Sequence, residues 1–220
     1  MSDKKREKRQ VILTEAYELF SKNDYKKVSL SGIAKNSGMH KSLLQKYYAQ
    51  KKDIVKNLLE DMLSISFQYM DEQYDKESID DKLAEYTFLL FSATEKNQKL
   101  NRFVESTISE TELMDIWIDL VYDGMERIGE LEDTKIVGIR LKAALSFAMY
   151  GSLHLYLKRE EFEITTESIC EHLIHAVMTM MGDDPKRIKE VLEGTKEKME
   201  SFDRESFYQY CTDYIPWLSV

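Results

Sequence analysis

The sequence has little in it that breaks a helix. Two prolines and eight glycines are spread over 220 residues. Both types punctuate turns and strands, so their scarcity excludes a β-sandwich, a collagen-like repeat and most loop-rich folds. Cysteine is as scarce: Cys170 and Cys211 stand 41 positions apart with no CxxC spacing. That excludes a disulfide-stapled scaffold and points to buried free thiols in a reducing compartment. No apolar run reaches the ~18 to 20 residues that a membrane span needs. The longest weakly charged stretch, Ala143 to Leu157, carries Ser146, Ser152 and His154. The basic start, Lys4-Lys5-Arg6-Glu7-Lys8-Arg9, leads into no apolar signal region. P-loop, GxSxG, HExxH and dinucleotide fingerprints are missing as well, so neither an enzyme nor a cofactor is expected. What the chain has is 43% hydrophobic and 32% charged residues, the mixture of long amphipathic helices. The reading is an all-α cytoplasmic protein with no membrane partner.

Charge is divided along the chain. The net charge of −9 argues against a nucleic-acid partner only until it is split. Residues 1–52 hold 13 Lys/Arg against 5 Asp/Glu, net +8, and the remainder holds 18 against 35, net −17. A basic module on an acidic body attracts a polyanion at one end and repels it elsewhere. A lysine-rich solvated surface would show the same count, so the shape of the module decides.

From Arg9 the apolar residues Ile12/Leu13, Ala16/Tyr17 and Leu19/Phe20 mark one face of a helix that stops at Ser21-Lys22-Asn23-Asp24. Ser29 precedes Leu30, Ile33 and Ala34 and is the expected N-cap of a second helix. Asn36-Ser37-Gly38 interrupts that helix, Gly38 supplying the left-handed backbone of a tight turn. A third helix is expected from about His40 to Tyr48, with Met39, Leu44 and Tyr48 turned to the core. Two short helices about a glycine turn make a helix-turn-helix, whose second helix fits the DNA major groove.

The run Ile12-Leu13, Ala16, Leu19-Phe20, Tyr25, Ser29-Leu30, Ile33-Ala34, Gly38-Met39, Lys41, Leu44, Tyr47-Tyr48, Lys51 and Ile54 resembles the tetracycline-repressor (TetR) family of bacterial transcriptional regulators. The resemblance covers about the first quarter of the chain. It implies a dimer with a helix-turn-helix head over residues 7–67 (the motif at about 30–49) and a divergent helical regulatory and dimerisation body over 68–220, which often binds an inducer. It also implies that Lys51 opens a fourth helix and meets a phosphate. Ser29, His40, Lys41, Ser42, Leu43, Gln45, Lys46 and Tyr47 complete the expected DNA-binding set. His40, Ser42, Leu43 and Gln45 depart from the family's usual residues. Gln45 has the chemistry to read an adenine edge and Leu43 to touch a thymine methyl. The basic arm Lys4–Arg9 either tracks a neighbouring groove or is solvated.

Beyond the head, helical periodicity runs through about 52–74, 79–95, 99–107, 111–130, 134–158, 165–181, 185–200 and 207–214. Ala144, Ala148 and Ser152, beside Gly151, form a small-residue stripe; with Ile169, Leu173 and Val177 they resemble the helix pair that this family assembles into a four-helix dimer bundle. Packing inside one chain is the alternative use of the same stripe. Met62, Phe88, Phe103, Trp117, Tyr122, Met125, Phe147 and Tyr150 are expected to line a pocket for an apolar or aromatic inducer, or to fill the core. Cys170, His172 and His175 with Glu167 and Glu171 are too weak a constellation to assign a metal. The expected function is a dimeric repressor on a palindromic operator of double-stranded DNA, released by a small molecule. The alternative is a TetR-like architectural or protein-interaction factor without an inducer.

Overall fold

A computed structural model of the chain describes residues 3–73, 78–128 and 135–219. The helix ends expected near 74, 130 and 134 lie outside the described residues. The described residues are mainly helix, joined by turns and short extended links, with no strand among them.

The head is built from short elements around few side chains. α1 (Asp3–Phe20) turns Ile12, Leu13, Ala16, Tyr17 and Phe20 inward. It absorbs the basic arm, so Lys4–Arg9 is the first part of a helix rather than an extended tail. A 3₁₀ turn at Tyr25–Lys27 leads to α2 (Leu30–Asn36), where the Ser29 hydroxyl accepts the Gly32 N–H at 3.0 Å as the expected N-cap. Ile33 and Ala34 are buried, and Gly38 turns the chain at φ +64°. α3 is Lys41–Leu44, with Gln45–Tyr47 continuing as turns, shorter than the helix expected to Tyr48. Leu44 and Tyr48 anchor it in the core.

α4 (Lys51–Gln73) leaves the head and runs into the body, burying Ile54, Val55, Leu58, Leu59 and Met62. The body follows as α5 (Ile79–Lys96), α6 (Gln98–Ile108), α7 (Thr111–Ile128), α8 (Lys135–Leu157), α9 (Arg159–Phe162), α10 (Thr166–Met181), α11 (Pro185–Ser201) and α12 (Arg204–Tyr214), closed by a 3₁₀ turn at Pro216–Ser219. α5 is central: Leu83 through Phe91 are all buried, and it packs on α4, α6, α7, α10, α11 and α12. The four-residue α9 was not foreseen, being too short for a periodicity to show. Glu163 follows it in the left-handed conformation and turns the chain toward α10. α11 presents a charged outer face, with Ile188, Val191, Thr195 and Met199 inward.

Candidate nucleic-acid interface

The lysines of the head fall into two sets. One set is engaged within the protein. Lys26 pairs with Glu110 at 3.0 Å and Lys52 with Glu112, tying the head to the loop between α6 and α7 and to α7 itself. Glu18 of α1 is held by Lys22 and by Lys99 of α6. Lys27 pairs with Asp24 at 2.6 Å. In the other set, Lys4, Lys5 and Lys8 at the start of α1, and the three lysines Lys35, Lys41 and Lys46, form no ion pair or side-chain hydrogen bond among the described residues. The last three lie on or beside α2 and α3 and are exposed. An unpaired ammonium keeps its full attraction for a phosphate, because no internal partner must be given up first.

The exposed side of the same unit carries Ser29, His40, Lys41, Ser42, Gln45 and Lys46, with Leu43 and Tyr47 half-buried at its edge. Eight of the nine expected DNA-binding residues are therefore at least partly accessible around the helix-turn-helix. Lys51 is used otherwise. Its ammonium donates to the carbonyl oxygens of Tyr25 and Val28, the latter at 2.7 Å, and sits 3.7 Å from the centroid of the Tyr25 ring. Burial pulls its pKa below the ordinary lysine value. Lys51 thus braces the turn that presents Ser29. Motif spacing had no signal for this, since the carbonyls it holds are 26 and 23 positions away.

The other expected sites are redistributed. Trp117 lines a void of about 20 Å³ enclosed by α5, α7, α8 and α10, room for about one water. Phe103 packs edge-on against Tyr17, and Phe88 borders an open cleft of about 300 Å³ between α5, α10, α11 and α12. Met62 and Met125 are core, and Tyr122 is half-exposed with its hydroxyl donating to Glu126. Phe147 is 69% exposed, and Tyr150 reaches outward to donate to Asp115 at 2.8 Å. The eight pocket residues do not converge on one cavity.

The stripe on α8 is buried within the chain. Ala144, Ala148 and Ser152 are buried, as are Ile169, Leu173 and Val177 of α10, and α8 and α10 pack extensively within one chain. Small side chains let these two helices approach, and the stripe is used up doing so. The outward face of α8 is the row one position earlier: Ile139 at 62% exposure, Ala143, Phe147 and Gly151, flanked by Tyr150 and His154. Only Gly151 of the expected set lies on it. On α10, His172 and His175 face out while Cys170 faces in, and Glu167 and Glu171 turn to Lys196. The five do not share one face.

A glycine-turned helix pair with its N-cap made has the geometry of a helix-turn-helix. Residues 12–58 match the family of bacterial regulatory proteins named tetR. No curated protein sequence matches the chain. Among solved structures, a TetR transcriptional regulator from Rhodococcus sp. RHA1 shares the fold at a TM-score of 0.58 and 12% identity, covering 82% of this chain and 99% of that one. A TetR-family transcriptional regulator from Rhodococcus sp. gives 0.46 at 18% identity (80% and 100% covered), and TylP, a TetR regulator from Streptomyces fradiae, 0.45 at 17% (86% and 98%). The family match covers the head alone, and the likeness to the first of these structures is one of fold.

Proposed function

We propose that the protein is a cytoplasmic homodimeric repressor that occupies a palindromic operator through α2 and α3 of each head. The observation that carries this is the sorting of head lysines: those toward the body are neutralised, and those around the recognition unit are not. The head is assigned to residues 7–67 and the regulatory body to 68–220. Lys35, Lys41 and Lys46 serve phosphates, while His40, Ser42 and Gln45 meet base edges. A second copy covers the outward face of α8, where Ile139, Phe147 and Tyr150 otherwise leave large apolar surface in water. A two-fold pairing there sets the two recognition helices on half-sites about 34–36 Å apart. The test is binding of the purified protein to the DNA flanking its own gene across a salt series. Sequence-dependent affinity falling ~10³ to 10⁵-fold between roughly 50 and 200 mM salt supports the reading; no binding at low salt ends it.

Release by a small apolar or aromatic inducer is part of this reading; open clefts of about 300 and 350 Å³ along α5 and α12 have room for such a molecule, whereas the void beside Trp117 holds about one water. The small size of the void beside Trp117 favours the second reading, a TetR-like architectural or interaction factor without an inducer. A library of such compounds separates the two: release of bound DNA with a raised thermal midpoint marks an inducer.

A further inference from the structure

The C-terminal turn belongs to the body in chain order, yet its indole is seated against the head. Trp217 is fully buried, lies on the Tyr17 ring of α1 with centroids 4.9 Å apart, and donates its N–H to Asp61 Oδ2 of α4 at 2.9 Å. Asp61 Oδ1 accepts from Asn57 Nδ2 at 3.1 Å. Asn57 Oδ1 in turn accepts from the Tyr48 hydroxyl at 2.6 Å and from Arg9 Nε at 2.9 Å, and Arg9 Nε also donates to the Tyr48 oxygen at 2.8 Å. Tyr48 is the buried residue on which the α3 turn ends. Five side chains from α1, the end of the helix-turn-helix, α4 and the C-terminal turn therefore form one continuous relay. Its far end is fixed in the body, where the Ile215 N–H donates to Cys211 O at 2.8 Å, Ser219 Oγ donates to Thr212 O at 3.1 Å, and Ile215 and Leu218 are buried.

An apolar side chain would fill the space of the indole, but it would leave a partly desolvated carboxylate oxygen without its donor. Asp61 is half-buried at the edge of an open cleft, and burial holds its carboxyl above the usual carboxylate range. A buried network is tolerated only when every member is satisfied, and then it selects one geometry. We propose that Trp217 is a positioning residue for DNA recognition, fixing the setting of α2 and α3 against the body through Asp61, Asn57 and Tyr48. The proposal rests on the DNA-binding reading, and its test is chosen to fail separately from it.

Trp217→Phe keeps an aromatic ring and removes the donor with part of the buried volume; Leu218→Ala also loses buried volume beside it and leaves the relay intact, which controls for the gap. Three quantities are read in each: the thermal midpoint, amide hydrogen exchange over Leu44–Tyr48, and affinity for a duplex selected by the wild-type protein from a random library. Trp217→Phe is expected to speed exchange over Leu44–Tyr48 and to weaken duplex binding ~5 to 20-fold, the loss of about one hydrogen bond to a charged group. Its midpoint should fall no further than that of Leu218→Ala, which leaves exchange and affinity near wild type. Wild-type exchange and affinity in Trp217→Phe would overturn the proposal, as would Leu218→Ala reproducing both effects. If the wild-type protein selects no duplex, the DNA-binding reading falls, while the exchange comparison still decides the relay.

Discussion

On the head, Lys35, Lys41 and Lys46 stand without a carboxylate partner among the described residues; on α11 of the body, Lys186 meets Glu190, Lys189 meets Glu193, Lys196 meets Glu171 and Lys198 meets Glu85. The two surfaces are similarly rich in lysine, and what differs is whether the charge is spent. On α11 it is spent along the helix, at i, i+4, and across to α5 and α10. Around α2 and α3 few carboxylates are in reach, because Asp24, Glu110 and Glu112 are already taken by Lys27, Lys26 and Lys52. Basic count alone therefore misjudges a nucleic-acid surface; the unpaired remainder is the better measure.

The strongest way to break this contrast is to reverse it. Lys41→Glu with Lys46→Glu should lower operator affinity by more than ~100-fold and flatten the salt dependence by about two counterions, with the thermal midpoint unchanged. Lys186→Glu with Lys189→Glu on α11 makes the same charge change in the body and should leave DNA affinity within ~3-fold, the pairs there being exposed and weak. Equal losses from both would mean that net charge, and not the head, drives binding.

The two faces of α8 give the next contrast. Phe147→Glu puts a carboxylate on the outward face and should weaken self-association ~10 to 100-fold in sedimentation, while the protomer stays folded. Ala148→Leu overpacks the buried face against α10 and should instead lower the midpoint, at a cost of ~1 to 3 kcal/mol. A dimer unaffected by Phe147→Glu would place the second copy elsewhere.

The pair of α8 faces also shows where sequence reading runs out. Elements fixed by neighbours in sequence were legible: the Ser29 cap reaches only to Gly32, Gly38 turns because its own backbone must, and the long helices declare themselves by period. The stripe Ala144, Ala148, Ser152 was legible as a close-approach face, but a period does not say which helix approaches, and here α10 of the same chain takes it. The exposed row Ile139, Ala143, Phe147 differs from it by one position, about 100° around the helix. Lys51 carried a family expectation of phosphate contact, yet the carbonyls that hold it come from a turn with no sequence signature. The relay from Arg9 to Trp217 joins residues up to 156 positions apart in a single hydrogen bond, and no local pattern announces such a pair. α3 ended early for a related reason: Gln45–Tyr47 is a loose turn because Leu44 and Tyr48, not helix propensity, hold the segment down.

Two glycines with open space around their Cα atoms sharpen the contrast on a smaller scale. A Cβ at Gly38 or at Gly194 meets nothing within 4 Å, but Gly38 has φ +64° and Gly194 lies within α11. Gly38→Ala should destabilise by about 1–2 kcal/mol through backbone strain alone. Gly194→Ala should stabilise by ~0.5–1 kcal/mol, since alanine restricts the unfolded chain and suits a helix. Thermal melts of the two single variants should move in opposite directions.

The smallest expected effect lies where head and body meet, at Glu18. Its hydrogen bond from Lys22 and then that from Lys99 hold its carboxyl below the usual glutamate value of 4.5. A carboxyl held low in the folded state contributes stability that is complete above its unfolded pKa and is lost as pH falls through the lowered folded value. Asp61 works in the opposite sense, because burial raises its pKa and proton uptake there favours the folded form. Wild-type acid stability alone therefore mixes two slopes of opposite sign. The difference between wild type and Glu18→Gln isolates the clasp: it should be largest above pH ~4.5 and shrink toward zero as the pH falls below that point. A difference that stayed constant down to the acid limb would mean that Lys99 holds the head by packing of its stem rather than by charge.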